Sequence, residues 1–126
     1  MILPEREIEA VLRALYDRMF DDPIVGFFFV GKDRDHIVMA QVPLVRRMLG
    51  ERGVSYDGKP IPEAHAELPI LPGHFDRRHF LLAEVLRERG VPDEVRARWL
   101  EVDRGFRDAV LKLGDERARA LNSGDP

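Results

Sequence analysis

Apolar residues recur along this chain with the period of an α helix. Ile8, Val11, Leu12, Leu15, Tyr16 and Met19 fall at i, i+3, i+4, i+7, i+8 and i+11, which predicts one continuous buried face of a first helix. Pro4 and Glu5 open that helix, a proline tolerated in a first turn followed by an acid that suits the helix N-terminus. Asp21-Asp22-Pro23 closes it, because the residue before a proline is pushed out of the helical region. A short aromatic segment, Ile24 to Val30, follows, and Gly31 ends it. A middle helix is predicted from Asp33 to Leu49 with two adjacent stripes, Val38, Val42, Val45 and Leu49 on one and Ile37, Gln41, Leu44 and Met48 on the other. Pro43 lies inside this pattern and predicts a kink or an irregular turn.

Gly50 and Gly53 break the middle helix, and residues 51–62 read as a connection in which Tyr56-Asp57-Gly58 signals a turn. Glu63 to Leu68 is long enough for one or two helical turns before Pro69. Pro72 opens a fourth helix with Phe75, Leu82, Val85 and Leu86 inside, and Gly90 ends it. Pro92-Asp93 opens a fifth, in which Val95, Trp99, Val102, Phe106, Val110 and Leu113 keep the helical period. No useful length of strict two-residue alternation occurs, so the fold class is all-α. The 126 residues suit one domain, with residues 113–126 read as a polar, frayed tail.

Composition narrows the function classes. The chain is 44% hydrophobic and 34% charged, which excludes a disordered or membrane-embedded protein. No signal-like segment opens it, and the expected location is the cytoplasm. Zero cysteines exclude disulfides, thiolate metal sites and cysteine nucleophiles. A net charge of −3 argues against general nucleic-acid binding. No phosphate-binding loop, dinucleotide fingerprint, nucleophile elbow or HExxH metal motif is present.

The chemistry must come from four histidines, carboxylates, aromatics or a borrowed cofactor. His65 lies between Pro62 and Pro69 in a segment too short to be held by its own helicity, so packing or a ligand must fix it. His36 reads as solvated, His74 as covering the core edge, and His79 as a half-buried, hydrogen-bonded histidine beside Arg78. His74 and His79 are five apart, which does not align them on one helix face for a shared metal. Tyr16 and Gln41 put polar groups on apolar stripes, and a buried hydroxyl or amide needs a partner. Each bonds within the protein, or both face a cavity beside the flat apolar wall of Phe28 and Phe29.

These residues together resemble the truncated hemoglobins, small globins with a two-over-two helical sandwich around a heme. Leu15-Tyr16-Asp17-Arg18-Met19, Asp21-Asp22-Pro23 and Phe27-Phe28-Phe29 are similar to that family's first block. Ala40-Gln41-Val42 matches the middle of its distal helix. Tyr56-Asp57-Gly58-Lys59-Pro60, Glu63-Ala64-His65-Ala66 and His74-Phe75-Asp76 look like its proximal block. The likeness runs from about Ile8 to Val110. It implies heme b with His65 as the proximal iron ligand, Tyr16 as the distal tyrosine that hydrogen-bonds a diatomic gas (O2, NO or CO), and Gln41 as its partner. It further implies Phe29, or Phe28, against the porphyrin, Ile37 at the distal gate, Tyr56 within the cofactor site, and Lys32, Arg34 or Lys59 near the propionates.

The function so implied is reversible O2 binding, for carriage or, with a reductase, as a nitric oxide dioxygenase or weak peroxidase. Neither nucleic acid nor a membrane is an expected partner. The Tyr-Gln and His-Phe pairs resemble the family's first group, whereas Leu68-Pro69 resembles its third. Three features depart from the family. Its usual early glycine pair is missing, Pro43 interrupts the distal helix, and Arg78 and His79 stand where many relatives place an apolar residue against the heme, which leaves His79 as an alternative iron partner. Those departures define a second reading, a heme-free globin-like interaction or sensor module.

Overall fold

The structure, a computed structural model, describes residues 3–55, 70–109 and 111. These residues include four α helices and one 3-10 turn, α1 (Glu5–Asp21), the 3-10 turn (Gly26–Phe29), α2 (Arg34–Met48), α3 (Pro72–Glu88) and α4 (Asp93–Gly105), with further helical residues at 107–109 and 111. No strand occurs among the described residues, in agreement with the all-α expectation. The short segment Glu63 to Leu68 and the polar tail lie outside the described residues. No described helix is long and apolar enough to cross a membrane.

α1 is the centre of the packing. It lies against α2, α3 and the 3-10 turn, while α4 packs on α3 and reaches α2. The six residues of the predicted α1 face, Ile8, Val11, Leu12, Leu15, Tyr16 and Met19, are the buried residues of that helix. Against them sit Val38, Val42 and Val45 from α2, Leu81, Leu82, Val85 and Leu86 from α3, and Trp99 from α4. A smaller cluster joins Phe75, Leu111 and Ile70. Burying each such side chain contributes roughly 1.5–3 kcal/mol, so this stripe-on-stripe contact supplies most of the folding drive.

Local signals set the helix ends. The Asp33 carboxylate caps α2 by accepting the His36 backbone N–H at 3.2 Å. Gly50 and Gly90 follow α2 and α3 in the left-handed region, at φ of 96° and 68°. Beyond them, Glu51 N–H donates to the Arg46 carbonyl (3.0 Å) and Val91 N–H to that of Leu86 (3.1 Å), the bonding of a Schellman cap. The Arg46 guanidinium also grips the Glu51 carboxylate with two bonds of 2.6 and 2.7 Å.

The structure gives Pro43 and the fifth predicted helix a definite form. α2 runs as one helix through Pro43. The carbonyl that loses its donor there belongs to Met39, a residue 48% exposed, where water can satisfy it. The fifth predicted helix is interrupted at Phe106, whose N–H turns back to the Asp103 carbonyl at 3.1 Å, and residues 107–109 and 111 are helical again, while Val110 and Leu113 lie outside the described residues. Glycine disfavours a helix by about 1 kcal/mol, which weakens the helix at Gly105, just before this break.

The α1–α2 connection is held from outside by α3. Asp22 is buried, and one carboxylate oxygen accepts the backbone N–H groups of Ile24 (2.9 Å) and Val25 (3.1 Å). The other takes two bonds from Arg77, at 2.7 and 3.0 Å. Gly26, next in the turn, sits so close to α1 that an added Cβ would lie 2.9 Å from the Phe20 carbonyl oxygen. Gly26→Ala is expected to lower stability by about 1–3 kcal/mol, read from its urea midpoint. An unchanged midpoint would show that the turn can move away from α1.

Candidate functional site

Three helices bring polar side chains together inside the apolar packing. α4 presents Val95, Trp99 and Asp103 on its buried face, so helical spacing carries a carboxylate inward, where it is 4% exposed. α3 supplies two neighbouring partners. Arg78 Nη1 donates to Asp103 Oδ1 at 2.5 Å, and His79 Nδ1 lies 2.9 Å from Asp103 Oδ2. Tyr16, which α1 holds 5% exposed, lies near enough to Arg78 to favour the charged guanidinium. Asp103, Arg78 and His79 therefore form one polar path across α4 and α3 that ends beside Tyr16 of α1.

The protonation states follow from donor chemistry. Guanidinium groups only donate, so at the 3.3 Å contact between Arg104 Nη2 and His79 Nε2 the ring nitrogen accepts. The His79 proton then sits on Nδ1 and points to Asp103. Burial most strongly opposes the charge of Asp103, but Arg78 and His79 outweigh it and hold the carboxyl below its ordinary range. Burial likewise opposes the charge of Arg78, and Asp103 with Tyr16 outweighs it, so its pKa stands above the usual guanidinium value.

Beside this path lies a partly covered apolar wall. Ile37, Gln41, Leu44 and Met48, the second stripe predicted for α2, are all half-buried, whereas Val38, Val42 and Val45 are fully buried against α1. Phe28 and Phe29 are half-buried as well. Phe29 meets the Tyr16 ring edge-on at 5.8 Å and stacks on Phe20 at 4.9 Å. Tyr16, Phe28, Phe29, Ile37 and Gln41 thus all belong to the α1–α2 side of the structure, and Tyr16, Phe28, Phe29 and Ile37 share its apolar cluster. His65, Tyr56 and Lys59 lie outside the described residues. Lys32 is exposed, and Arg34 is engaged by Asp17 at 2.5 Å and by the Phe20 ring at 4.8 Å.

The other histidines are committed elsewhere. His74 Nδ1 accepts the Leu71 backbone N–H at 3.0 Å and its ring packs edge-on against Phe27 and Phe28. A neutral imidazole has one lone pair, and His74 and His79 each spend it on an N–H donor. The structure therefore replaces the idea of His79 as an alternative iron partner with a half-buried, hydrogen-bonded role. His36 is exposed at the start of α2. Sequence reasoning misses Asp103 as a site residue because Asp reads as surface in a charged helix. The usable signal is its place four residues after Trp99 and eight after Val95, on the apolar face itself.

Comparison with known proteins gives a consistent set. The profile of the bacterial-like globin family matches residues 3–112. A group 1 truncated hemoglobin of Tetrahymena pyriformis is 33% identical over 91 residues, covering 72% of this chain and 74% of that protein. The crystal structure of truncated hemoglobin from the same organism in its Fe(III) form superimposes with a TM-score of 0.76 at 30% identity, over 83% of this chain and 89% of that one. It has also been solved with one tyrosine changed to phenylalanine and with one glutamine changed to glutamate. A 2/2 hemoglobin from Synechococcus, in the cyanomet state with covalently attached heme, shares the fold at 20% identity and a TM-score of 0.79, over 86% of this chain and 92% of that one.

Asp22 and Asp103 are both held below the ordinary carboxylate range, Asp22 chiefly by its Arg77 hydrogen bonds. A depressed folded pKa stabilises the protein above the unfolded value, about 3.9, and that contribution is lost as pH falls through the folded value. Urea midpoints should hold from pH 7 to about 5 and fall steeply below about 4. Asp103→Asn should cost about 3–5 kcal/mol at pH 7, since it leaves Arg78 buried without its counter-charge, and should flatten the acid slope. An acid slope equal to that of the unaltered protein would remove Asp103 from this account.

Proposed function

Because the chain belongs to the bacterial-like globin family, we propose that it holds heme b through His65 and binds O2 and other diatomic gases against Tyr16 and Gln41. The observation that carries this reading is the buried Tyr16 hydroxyl beside a half-buried wall of Phe28, Phe29 and Ile37. The donor set fits the group. A porphyrin asks for apolar faces with few polar atoms, and the α2 stripe offers Ile37, Leu44 and Met48 around a single amide. With His74 and His79 spending their lone pairs on N–H donors and His36 exposed, His65 is the histidine left to serve iron, and Tyr56 completes the proposed cofactor-binding residues.

Bound there, heme iron supplies an open coordination position for a diatomic gas. The protein's part is to orient and discriminate. The Tyr16 hydroxyl can donate to a polarised ligand from a site already shielded from water, where such a bond is worth more than in solvent. In the Tetrahymena variants one tyrosine and one glutamine were altered. The same step along this chain leads from Tyr16 to Ile37, with Gln41 one helical turn further on the same face. An apolar gate at Ile37 with the amide one turn deeper supports stabilisation shared by Tyr16 and Gln41.

Carriage and turnover use the same residues. Conversion of nitric oxide to nitrate by the oxygenated protein, with a reductase restoring it, is the enzymatic form of this reading, and a weak peroxidase is its ferric form. Stopped-flow mixing of the oxygenated protein with nitric oxide separates them, since slow conversion leaves carriage. The features behind a heme-free module serve the fold itself: Arg78 and His79 are occupied by Asp103, and α2 accommodates Pro43.

The protein as expressed is expected to show a Soret band, which His65→Ala should abolish or shift. Tyr16→Phe should release O2 about ten- to hundredfold faster, the loss expected for one hydrogen bond to a partly charged acceptor. A colourless protein that takes up no heme would instead establish the interaction or sensor module.

A further inference from the structure

The 3-10 turn carries Phe28 and Phe29 but has few bonds of its own. Phe28 N–H reaches the Val25 carbonyl at 3.1 Å, and Gly26 N–H donates to the Asp22 carbonyl at 2.8 Å. A single helical turn is marginal in water, so its place depends on what holds it from outside. From one side α1 does so, with Gly26 set close to the Phe20 carbonyl and Phe29 stacked on the Phe20 ring. From the other side α3 reaches over with two residues three apart, His74 and Arg77, which share a helix face. The His74 ring meets Phe27 and Phe28 edge-on at 5.6 and 5.0 Å, and its Nδ1 is fixed by the Leu71 N–H.

Arg77 makes the stronger tie. Its Nε and Nη2 both donate to one oxygen of the buried Asp22, at 3.0 and 2.7 Å, while the other oxygen accepts the Ile24 and Val25 amides. The Phe80 ring lies 5.6 Å from the guanidinium carbon, a cation–π contact that restricts Arg77 further. An Asp capping the amides two and three residues on needs no cation to do so. What Arg77 adds is a link from that connection to another helix, one that opens seven residues after His65 in the chain.

We propose that Arg77 is a positioning residue for the cofactor: by gripping Asp22 it locks the Phe28–Phe29 wall to α3, so that the wall cannot swing away from the porphyrin and heme is retained. The inference rests on the heme reading of His65, Phe28 and Phe29.

The test compares the heme-loaded protein with Arg77→Met, Arg77→Lys, Asp22→Asn and Val95→Ala. Arg77→Met keeps an apolar stem beside Phe80. Asp22→Asn keeps an oxygen for the Ile24 and Val25 amides and removes the charge that Arg77 grips, which covers the case in which Arg77→Met folds poorly. Val95→Ala removes buried apolar volume on α4 and serves as a control for lost stability alone. Transfer of ferric heme to an excess of a high-affinity apoprotein is followed at the Soret band. Amide hydrogen exchange of the CO form is followed at Ile24, Val25 and Gly26 in the connection and at Leu82 and Val85 within α3.

Arg77→Met and Asp22→Asn are expected to lose heme about three- to tenfold faster and to speed exchange in the connection about as much, with Leu82 and Val85 still protected. Arg77→Lys, which keeps a charge and a donor, should restore part of both readouts. Val95→Ala should lower the urea midpoint without faster exchange confined to the connection. Unchanged heme transfer in Arg77→Met and Asp22→Asn overturns the inference. So does exchange that rises equally in the connection and in α3, or heme loss from Val95→Ala as fast as from Arg77→Met at an equal urea midpoint, since Arg77 is then structural only. If the unaltered protein takes up no heme, the heme reading fails, and this inference with it.

Discussion

The carboxylate of Asp103 is the constraint around which the interior is organised. An ionised carboxylate out of water costs several kcal/mol unless it is paired and hydrogen-bonded. α4 nevertheless carries one inward on the same face as Trp99 and Val95. α3 must therefore present a cation and a donor at one height, and Arg78 and His79 do so from consecutive positions. Arg78 comes up beside Tyr16, so the polar path of α3 and α4 ends against α1 in an otherwise apolar interior. Such a pair adds little net stability compared with well-packed apolar residues. It fixes orientation, because apolar stripes tolerate small slides and rotations that a hydrogen-bonded guanidinium does not.

Periodicity makes the apolar half of this arrangement legible. The α1 face is readable residue by residue, since every position on it shares one neighbourhood and one chemistry. The two stripes of α2 are readable as stripes, and the structure separates them by burial, complete for Val38, Val42 and Val45 and partial for Ile37, Gln41, Leu44 and Met48. The polar half is legible only in part: His79 reads as half-buried and hydrogen-bonded, but its partner Asp103 does not show. A period predicts which way a residue points but not whether a charge will be matched on arrival. Val102 and Asp103 compete for the inward place on α4, and composition favours the valine. The match that decides for Asp103 lies on another helix, 24 and 25 residues away in sequence. Arg78 and His79 are conspicuous for the same reason: seen alone they spoil an apolar face, and beside Asp103 they complete one.

The half-buried stripe of α2 shows how fold and site share one helix. If α2 were buried on both stripes it would be structural throughout. The valines commit one side to α1 and leave the neighbouring side apolar but incompletely covered, which suits a flat hydrophobic group. Pro43 is compatible with this division. A proline inside a helix gives up one backbone bond, and here the carbonyl concerned belongs to Met39, half-exposed on the outer side. The cost falls on the face that uses water, away from both stripes.

An unpaired arginine would be a poor neighbour for an apolar cofactor wall, and its pairing removes the conflict. What a cofactor or a gas would meet from Arg78 is not a net charge, because Asp103 neutralises it at hydrogen-bond distance. What remains is a dipole, fixed in direction and short in range. Field that would otherwise spread through the interior is confined to the pair itself. Confinement also protects the arrangement from salt, since screening acts weakly on buried pairs. The exposed pairs between α1 and its neighbours, Arg13 with Asp35 and Arg18 with Glu88, are screened and contribute little. Within one small protein, then, electrostatics is incidental where charges face water and decisive where a single carboxylate does not.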